Sequence, residues 1–191
     1  MTTPQFALFN SPVALAHHFF RSFLMPHDRV IDATLGHGKD SQKILSLIPQ
    51  GFLYGFDIQE KAIESAKRKL EEVGHNFKLY HVSHSHFPEE LEKESIRLII
   101  YNLGYLPGED KSITTLSAST LESCKKAWEL LAPFGVLSIM CYPGHEEGAR
   151  EEIILVDWAS GLDKNLALVT DIKVSNRIKA PRLLLIQKRA T

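Results

Sequence analysis

Val30-Ile31-Asp32-Ala33-Thr34-Leu35-Gly36-His37-Gly38 decides the fold. Two β-branched apolar residues run into an acid, and a small-residue turn with two glycines follows. This is the pattern of a buried parallel strand ending in a tight loop. Glycine leaves no side chain where a backbone must approach a ligand, and it takes positive φ at no steric cost. From Lys39 to Ile48 the apolar residues Ile44, Leu45, Leu47 and Ile48 predict a helix, whose first N–H groups face whatever lies over the loop. Leu53-Tyr54-Gly55-Phe56-Asp57 then reads as a second apolar strand ending in a carboxylate. Strand, glycine loop, helix, strand and acid form the fingerprint of a nucleoside-cofactor site in an α/β sheet, with the last acid suited to ribose hydroxyls.

Ser41 stands where the third glycine of a nicotinamide loop belongs. Asp32 at the first strand end and the Gly55-x-Asp57 ending suit S-adenosylmethionine (SAM) better. The alternative is an ordinary strand–helix–strand unit with no cofactor.

With 191 residues, the chain fits one domain, expected to run over 1–191 with residues 1–26 as an N-terminal arm and helix. Its 44% hydrophobic and 24% charged residues are ordinary for a globular protein. A net charge of -1 gives no bulk attraction to nucleic acid, so any RNA contact must come from a local patch. Cys124 and Cys141 form no CxxC pair, which places the chain by default in a reducing, cytoplasmic compartment. The N-terminus lacks a basic region ahead of its apolar residues and reads as no targeting signal, and no apolar run is long enough to span a membrane.

Along the chain, Ser11 caps a helix with Pro12 at its first position and Pro26 beyond its end, expected to pad the sheet rather than cover the pocket. Gln59–Val73 reads as an amphipathic helix stopped by Gly74. Phe77–Val82 is a third strand, followed past Pro88 by a short charged helix, and Ile96–Leu103 is a fourth strand. A polar loop over 104–115 leads to a helix from about Ser119 to Leu131. A fifth strand from Gly135 to Tyr142 and a helix through Trp158 follow. Ala167–Val174 and Arg182–Gln187 are joined too closely to be parallel. The expected fold is a doubly wound, Rossmann-like α/β sheet of seven strands with a C-terminal antiparallel hairpin, the layout of SAM-dependent methyltransferases.

Ligands of such sheets lie beyond the carboxyl ends of the strands. The ends singled out are Asp32–Gly38, Asp57-Ile58-Gln59, Asn102-Leu103-Gly104-Tyr105-Leu106-Pro107 and Tyr142-Pro143-Gly144-His145. In amino-group methyltransferases the fourth strand end carries an Asn or Asp acceptor and an aromatic. Asn102 and Tyr105 fit those roles, although Leu103-Gly104 replaces the usual prolines. Tyr105 and Tyr142 are rim aromatics on which an unstacked base can lie. Lys111, Lys173, Arg177, Lys179 and Arg182 supply local positive charge for phosphates, and the bland alternative is a solvated sheet edge. His81, His84 and His86 lack the partners of a metal site, and none is expected.

Asn102-Leu-Gly-Tyr-Leu-Pro107 followed by Asp110-Lys-Ser-Ile-Thr114 resembles the signature of a small bacterial family called "putative rRNA methylase", which includes the tRNA 5-aminomethyl-2-thiouridine methyltransferases. Asp32-Ala-Thr-x-Gly-x-Gly38, Tyr54-Gly-Phe-Asp-Ile-Gln59, Gly144-His-x-Glu-Gly148 and Asn176-Arg177 before Ala180-Pro181 also match. The resemblance spans nearly the whole chain. It implies SAM as donor, the tRNA wobble uridine in the anticodon loop as acceptor, and a homodimer. It places Asp32, Thr34, Gly36, Gly38, Asp57, Ile58, Gln59, His84 and Asn102 around the cofactor. Tyr105, Lys111, Ser112, Tyr142, His145 and Arg177 fall to the substrate; Asn102 or a backbone carbonyl in Leu103 to Leu106 orients the amine, and Tyr105, Asp110 or His145 relays its proton to water. Val82-Ser83-His84 departs from the family's Asp-Gly-His and leaves His84 or backbone to meet the adenine.

Three rivals stand beside this reading. The Asp-Ala-Thr-Leu-Gly loop also resembles enzymes that methylate a cytidine N4 in small-subunit rRNA, which are much longer chains. A nicotinamide oxidoreductase and a non-catalytic SAM-binding regulator are the others.

Overall fold

A computed structural model describes residues 11–104 and 115–190. Helix α1 (Pro12–Phe23) begins where the Ser11 Oγ accepts the Ala14 N–H at 3.1 Å, so a side chain satisfies one of the open N–H groups of the first turn. Strand β1 (Arg29–Asp32), helix α2 (Lys39–Leu47), strand β2 (Phe52–Asp57), helix α3 (Glu60–Glu71) and strand β3 (Phe77–His81) follow. Next come β4 (Ile96–Asn102), α4 (Ser117–Leu130), β5 (Leu131–Cys141), α5 (Glu146–Ser160), β6 (Ala167–Lys173) and β7 (Arg182–Lys188).

The seven strands form one sheet in the order β3-β2-β1-β4-β5-β7-β6. The first five pair in parallel, while β7 runs antiparallel to both β5 and β6. Because alternate side chains leave opposite faces of a strand, consecutive residues enter different cores. Val30, Leu98 and Ile100 pack with Ala16, Phe20, Ile44 and Leu45 of α1 and α2. Ile31, Ile99 and Tyr101 pack on the other face with Cys124, Ala127 and Leu155 of α4 and α5. Burial on both faces is why the parallel strands read as unbroken apolar runs. α1 pads the sheet as expected, against β5 and β7, and it also sends one side chain toward the strand ends.

Two local expectations change. No helix forms after Pro88; the segment turns, with the Leu91 N–H bonded to the Pro88 carbonyl and Glu94 at φ 56°. So few residues before β4 cannot offset the cost of nucleating a helix. β5 begins at Leu131, directly after α4, rather than at Gly135. Its register with β4 jumps from Ile96↔Leu131 to Leu98↔Val136, and the intervening residues loop out around Phe134 at φ 61°. Among the described residues no helix is long and apolar enough to cross a membrane.

Gly38 holds the turn from β1 into α2 at φ 72°, and a Cβ built there would lie 2.8 Å from the Ala66 Cβ. Gly38→Ala therefore forces α2 and α3 apart. Overpacking costs about 1–3 kcal/mol and the left-handed backbone about 1–2 kcal/mol more; a clear fall in the thermal midpoint by circular dichroism is the expected result.

Candidate functional site

β1 and β4 are neighbours whose connections leave in opposite directions, and the crevice outside their carboxyl ends is the ligand position of an open α/β sheet. A cleft of about 1110 Å³ opens there. All four strand ends contribute to its wall, including Asp32–His37, Asp57–Gln59, Asn102–Gly104 and Tyr142 with Gly144-His145.

The glycine loop is stitched to both neighbouring strands. Toward β2, the Leu35 N–H donates to the Phe56 carbonyl at 2.9 Å and the Gly36 N–H to Asp57 Oδ2 at 2.8 Å. Toward β4, the Ala33 N–H donates to the Ile100 carbonyl at 2.9 Å, and the Asn102 N–H donates to Thr34 Oγ1 at 2.6 Å. Thr34 thus sets the end of β4. Gly38 is absent from the cleft wall and acts instead in the packing of α2 on α3.

Asp32 is 1% exposed and carries out its work inside the loop. Its Oδ1 accepts the Thr34 N–H at 3.2 Å and its Oδ2 accepts the Ser41 hydroxyl at 2.6 Å. Burial pushes its carboxyl up to about 7, against the pull of the Ser41 and Thr34 bonds. Ser41, which looked like a missing glycine, is the partner that Asp32 needs. Asp57 accepts one backbone N–H on each oxygen, from Gly36 and, at 2.9 Å, from Gln59. A carboxylate has about four acceptor sites, so capacity for ribose hydroxyls remains. Beside it, Ile58 is 54% exposed at the cleft wall.

His84 closes the same end. Burial drives its imidazole down to about 4, so the ring is neutral at pH 7. Its Nδ1 is buried without a hydrogen-bond partner among the described residues. An orphaned buried nitrogen, an exposed apolar side chain and a carboxylate with spare acceptor capacity together fit a nucleoside. His81 and His86 turn elsewhere, to the Ile58 carbonyl and the Ser85 hydroxyl. Among the described residues no group of three His, Cys, Asp or Glu side chains is placed to hold a metal.

At the other end stands Asn102. Its Nδ2 donates to Asp40 Oδ2 at 2.6 Å. Asp40 Oδ1 lies 2.6 Å from His17 Nε2, and Lys43 Nζ is 3.1 Å from His17 Nδ1. Burial pushes the Asp40 carboxyl up, but the bonds from His17 and Asn102 and the charge of Lys43 outweigh it and hold it below its ordinary value. Tyr142 lines the cleft nearby, its phenol raised to about 12 by burial and by the Asp40 charge.

His145 caps α5, its Nδ1 accepting the Gly148 N–H at 3.1 Å. The cap is close because Gly148 has no Cβ; one built there would sit 2.2 Å from the Tyr142 carbonyl oxygen. Gly104 and Thr115 are joined by two hydrogen bonds, and Thr115 Oγ1 donates to the buried Glu151. The expected site residues Tyr105, Asp110, Lys111 and Ser112 lie outside the described residues.

Among the described residues of the expected basic patch, one is already paired. Arg182 is committed to Asp171 and Glu152, so its charge is already matched. Arg177 is exposed on the β6–β7 connection and lies outside the cleft wall, which Lys179 and Pro181 reach. Sequence reasoning missed Asp40, His17, Ser41 and Glu151. For Asp40 the available signal was an acid in the first turn of a helix, which by itself suggests only a dipole contact.

Residues 53–188 match the family described as "Putative rRNA methylase". The chain is 37% identical over 188 residues to the chloroplastic tRNA (mnm(5)s(2)U34)-methyltransferase of Arabidopsis thaliana, covering 92% of this chain and 68% of that one. Ribosomal RNA small subunit methyltransferase H of Mycoplasma mobile is 42% identical over 80 residues, only 40% of this chain and 26% of its own length. A "putative rRNA-methylase" from Clostridium thermocellum superposes with a TM-score of 0.89 at 29% identity, covering 94% of this chain and 98% of its own. A "putative methyltransferase" from Streptococcus mutans, in complex with SAH, superposes at 0.84 with 33% identity, covering 94% and 99%.

The buried carboxyl of Asp32 makes a pH prediction. Its folded value, about 7, lies above the ordinary 3.8, so between those values the folded state holds more protons than the unfolded state. Stability from this group is therefore fully present below about pH 4, falls as pH rises toward 7, and is flat above. Asp32→Asn removes that decline: the difference in urea midpoint between variant and wild type should shift in the variant's favour from pH 4.5 to 7.5.

Proposed function

The chain belongs to the "Putative rRNA methylase" family, and from that premise we propose that it is a SAM-dependent RNA methyltransferase acting on the exocyclic amine of 5-aminomethyl-2-thiouridine at the tRNA wobble position. The carrying observation is the chemistry of the rim at β4. Asn102 presents its amide to the cleft with the nitrogen already bonded to Asp40, which leaves the oxygen as the acceptor for an amine N–H. Extensive identity to a tRNA wobble-uridine enzyme supports the acceptor, and a neighbour bound to SAH supports the donor.

SAM supplies an electrophilic methyl group on a sulfonium. Gly36, Asp57, Ile58, Gln59 and His84 would hold its nucleoside end, with the loop at Asp32–Thr34 shaping the approach. The protein's own contribution is alignment, and near-attack positioning supplies roughly 7–11 kcal/mol. The amine must present a free lone pair. Bringing a lysine-like amine of pKa about 10.4 to neutrality at pH 7 costs roughly 4.6 kcal/mol, and the desolvated walls of the cleft lower that requirement. Asn102 Oδ1 orients the amine by accepting an N–H, so its lone pair faces the in-line direction. Tyr142 offers a face for the unstacked base. Tyr105, Asp110 and His145 remain in this reading as relays for the departing proton, and Lys111, Ser112 and Arg177 as contacts to the anticodon loop.

The same reading takes the chain as one cytoplasmic domain that pairs as a homodimer; light scattering at twice the chain mass checks the pairing. The rRNA reading rests on alignments to less of this chain, 40% of it in the Mycoplasma match.

The test is nucleoside mass spectrometry of tRNA from a host lacking the corresponding gene, after incubation with the protein and SAM. One added methyl on 5-aminomethyl-2-thiouridine is expected, and a methyl found only in rRNA fragments overturns the tRNA assignment. Asn102→Ala should lower kcat about 100-fold or more, as losing an orienting group does, while SAM affinity by calorimetry stays within about threefold.

A further inference from the structure

His17 and Asp40 are separated by 23 residues in sequence and come from different helices, yet the His17 Nε2 to Asp40 Oδ1 distance is 2.6 Å. Asp40 in turn is 62 residues from Asn102, which donates to its other oxygen. The nitrogens of His17 have defined roles. Lys43 Nζ, an ammonium with donors only, lies 3.1 Å from Nδ1, which makes Nδ1 the acceptor and Nε2–H the donor. Each bond in the chain from Lys43 through His17 to Asp40 therefore has one direction.

The direction matters at the far end. An asparagine amide can present either its oxygen or its nitrogen to a cleft, and nothing in the residue itself decides between them. A carboxylate accepts only, so Asp40 takes the nitrogen. Among the described residues nothing donates to Asn102 Oδ1, which is left for a ligand. A negative charge behind the amide also polarises it and makes that oxygen a better acceptor.

We propose that the His17–Asp40 pair is a positioning device for the methyl acceptor, locking the Asn102 amide with its oxygen toward the cleft so that the site selects a group bearing an N–H. Neither residue touches the reacting atoms in this role. The inference rests on the amine-methyltransferase reading for its consequence, but the orientation of the amide is independent of which RNA is the substrate. The N-terminal helix thereby becomes part of the active site, through the His17 side chain that reaches Asp40.

The test has two arms. In the first, the Asn102 side-chain amide is assigned by NMR in the SAM-bound protein, using Asn102→Ala for assignment. Its proton facing the carboxylate should be shifted downfield in wild type and lose that shift in Asp40→Asn and His17→Phe, while His17→Gln, which keeps a donor near the Nε2 position, retains it. In the second, methyl transfer to tRNA from the gene-deleted host is measured. His17→Phe should lower kcat about tenfold and Asp40→Asn about 30-fold or more, with KM for SAM within twofold. His17→Gln should recover most of the loss, and Asp40→Asn combined with Asn102→Ala should be no slower than Asn102→Ala alone. An unchanged amide signal in both variants overturns the proposal, as does turnover within twofold of wild type, or a double variant whose losses multiply. If wild type transfers no methyl to tRNA, the tRNA reading has failed, and the NMR arm alone decides the orientation.

Discussion

Backbone amides around the glycine loop satisfy acceptors on two different strands, and this constraint organises the rest of the cleft. Ala33 and Leu35, two residues apart, donate to β4 and β2 on opposite sides. A loop fixed on both flanks has little freedom to move when a ligand arrives, so the cost of ordering it is met during folding. The two side-chain bonds that extend the pattern, Gly36 to Asp57 and Asn102 to Thr34, then place the Asp57 carboxylate and the Asn102 amide relative to one another. The distance between the two ends of the cleft is thus a property of the β1 turn.

Burial explains why the local chemistry is so uneven. Asp32 and His84 are both removed from water, one held by Ser41 and Thr34 and the other with an orphaned nitrogen. A buried acceptor or donor without a partner costs about 1–3 kcal/mol. Among the described residues the chain tolerates this at His84, on the cleft wall, while each oxygen of Asp32 is matched. Such a distribution of satisfied and unsatisfied groups separates scaffold from binding surface without reference to any motif.

The scaffold was largely legible in sequence because it is written locally. Val30-Ile31 before Asp32, and Leu53 to Phe56 before Asp57, show strand and turn within a few residues, and the terminal pair announced its antiparallel pairing by its short connection. The site was half legible. Asn102 could be chosen from its place at a strand end, and the family resemblance added the residues around it. Asp40 and His17 could not, since their meaning lies in partners 62 and 23 residues away. Ser41 was legible only as a departure from a nicotinamide loop, and its bond to Asp32 joins residues nine apart across the turn. Asp171 was legible as an offset to the basic residues near Arg182, but Glu152, 30 residues away on α5, was not.

The reversal of β7 has a further consequence. Every parallel strand reaches the rim at its carboxyl end, whereas β7 starts there: Arg182 pairs with Cys141, the last residue of β5. The connection that precedes β7 therefore arrives at the cleft from the edge of the sheet, and Lys179 and Pro181 enter its wall. This segment carries no part of the glycine loop and none of the bonds that set Asn102. Drift in its length or charge leaves those bonds intact, so one wall of the cleft can be reshaped or recharged while the opposite wall stays as it is.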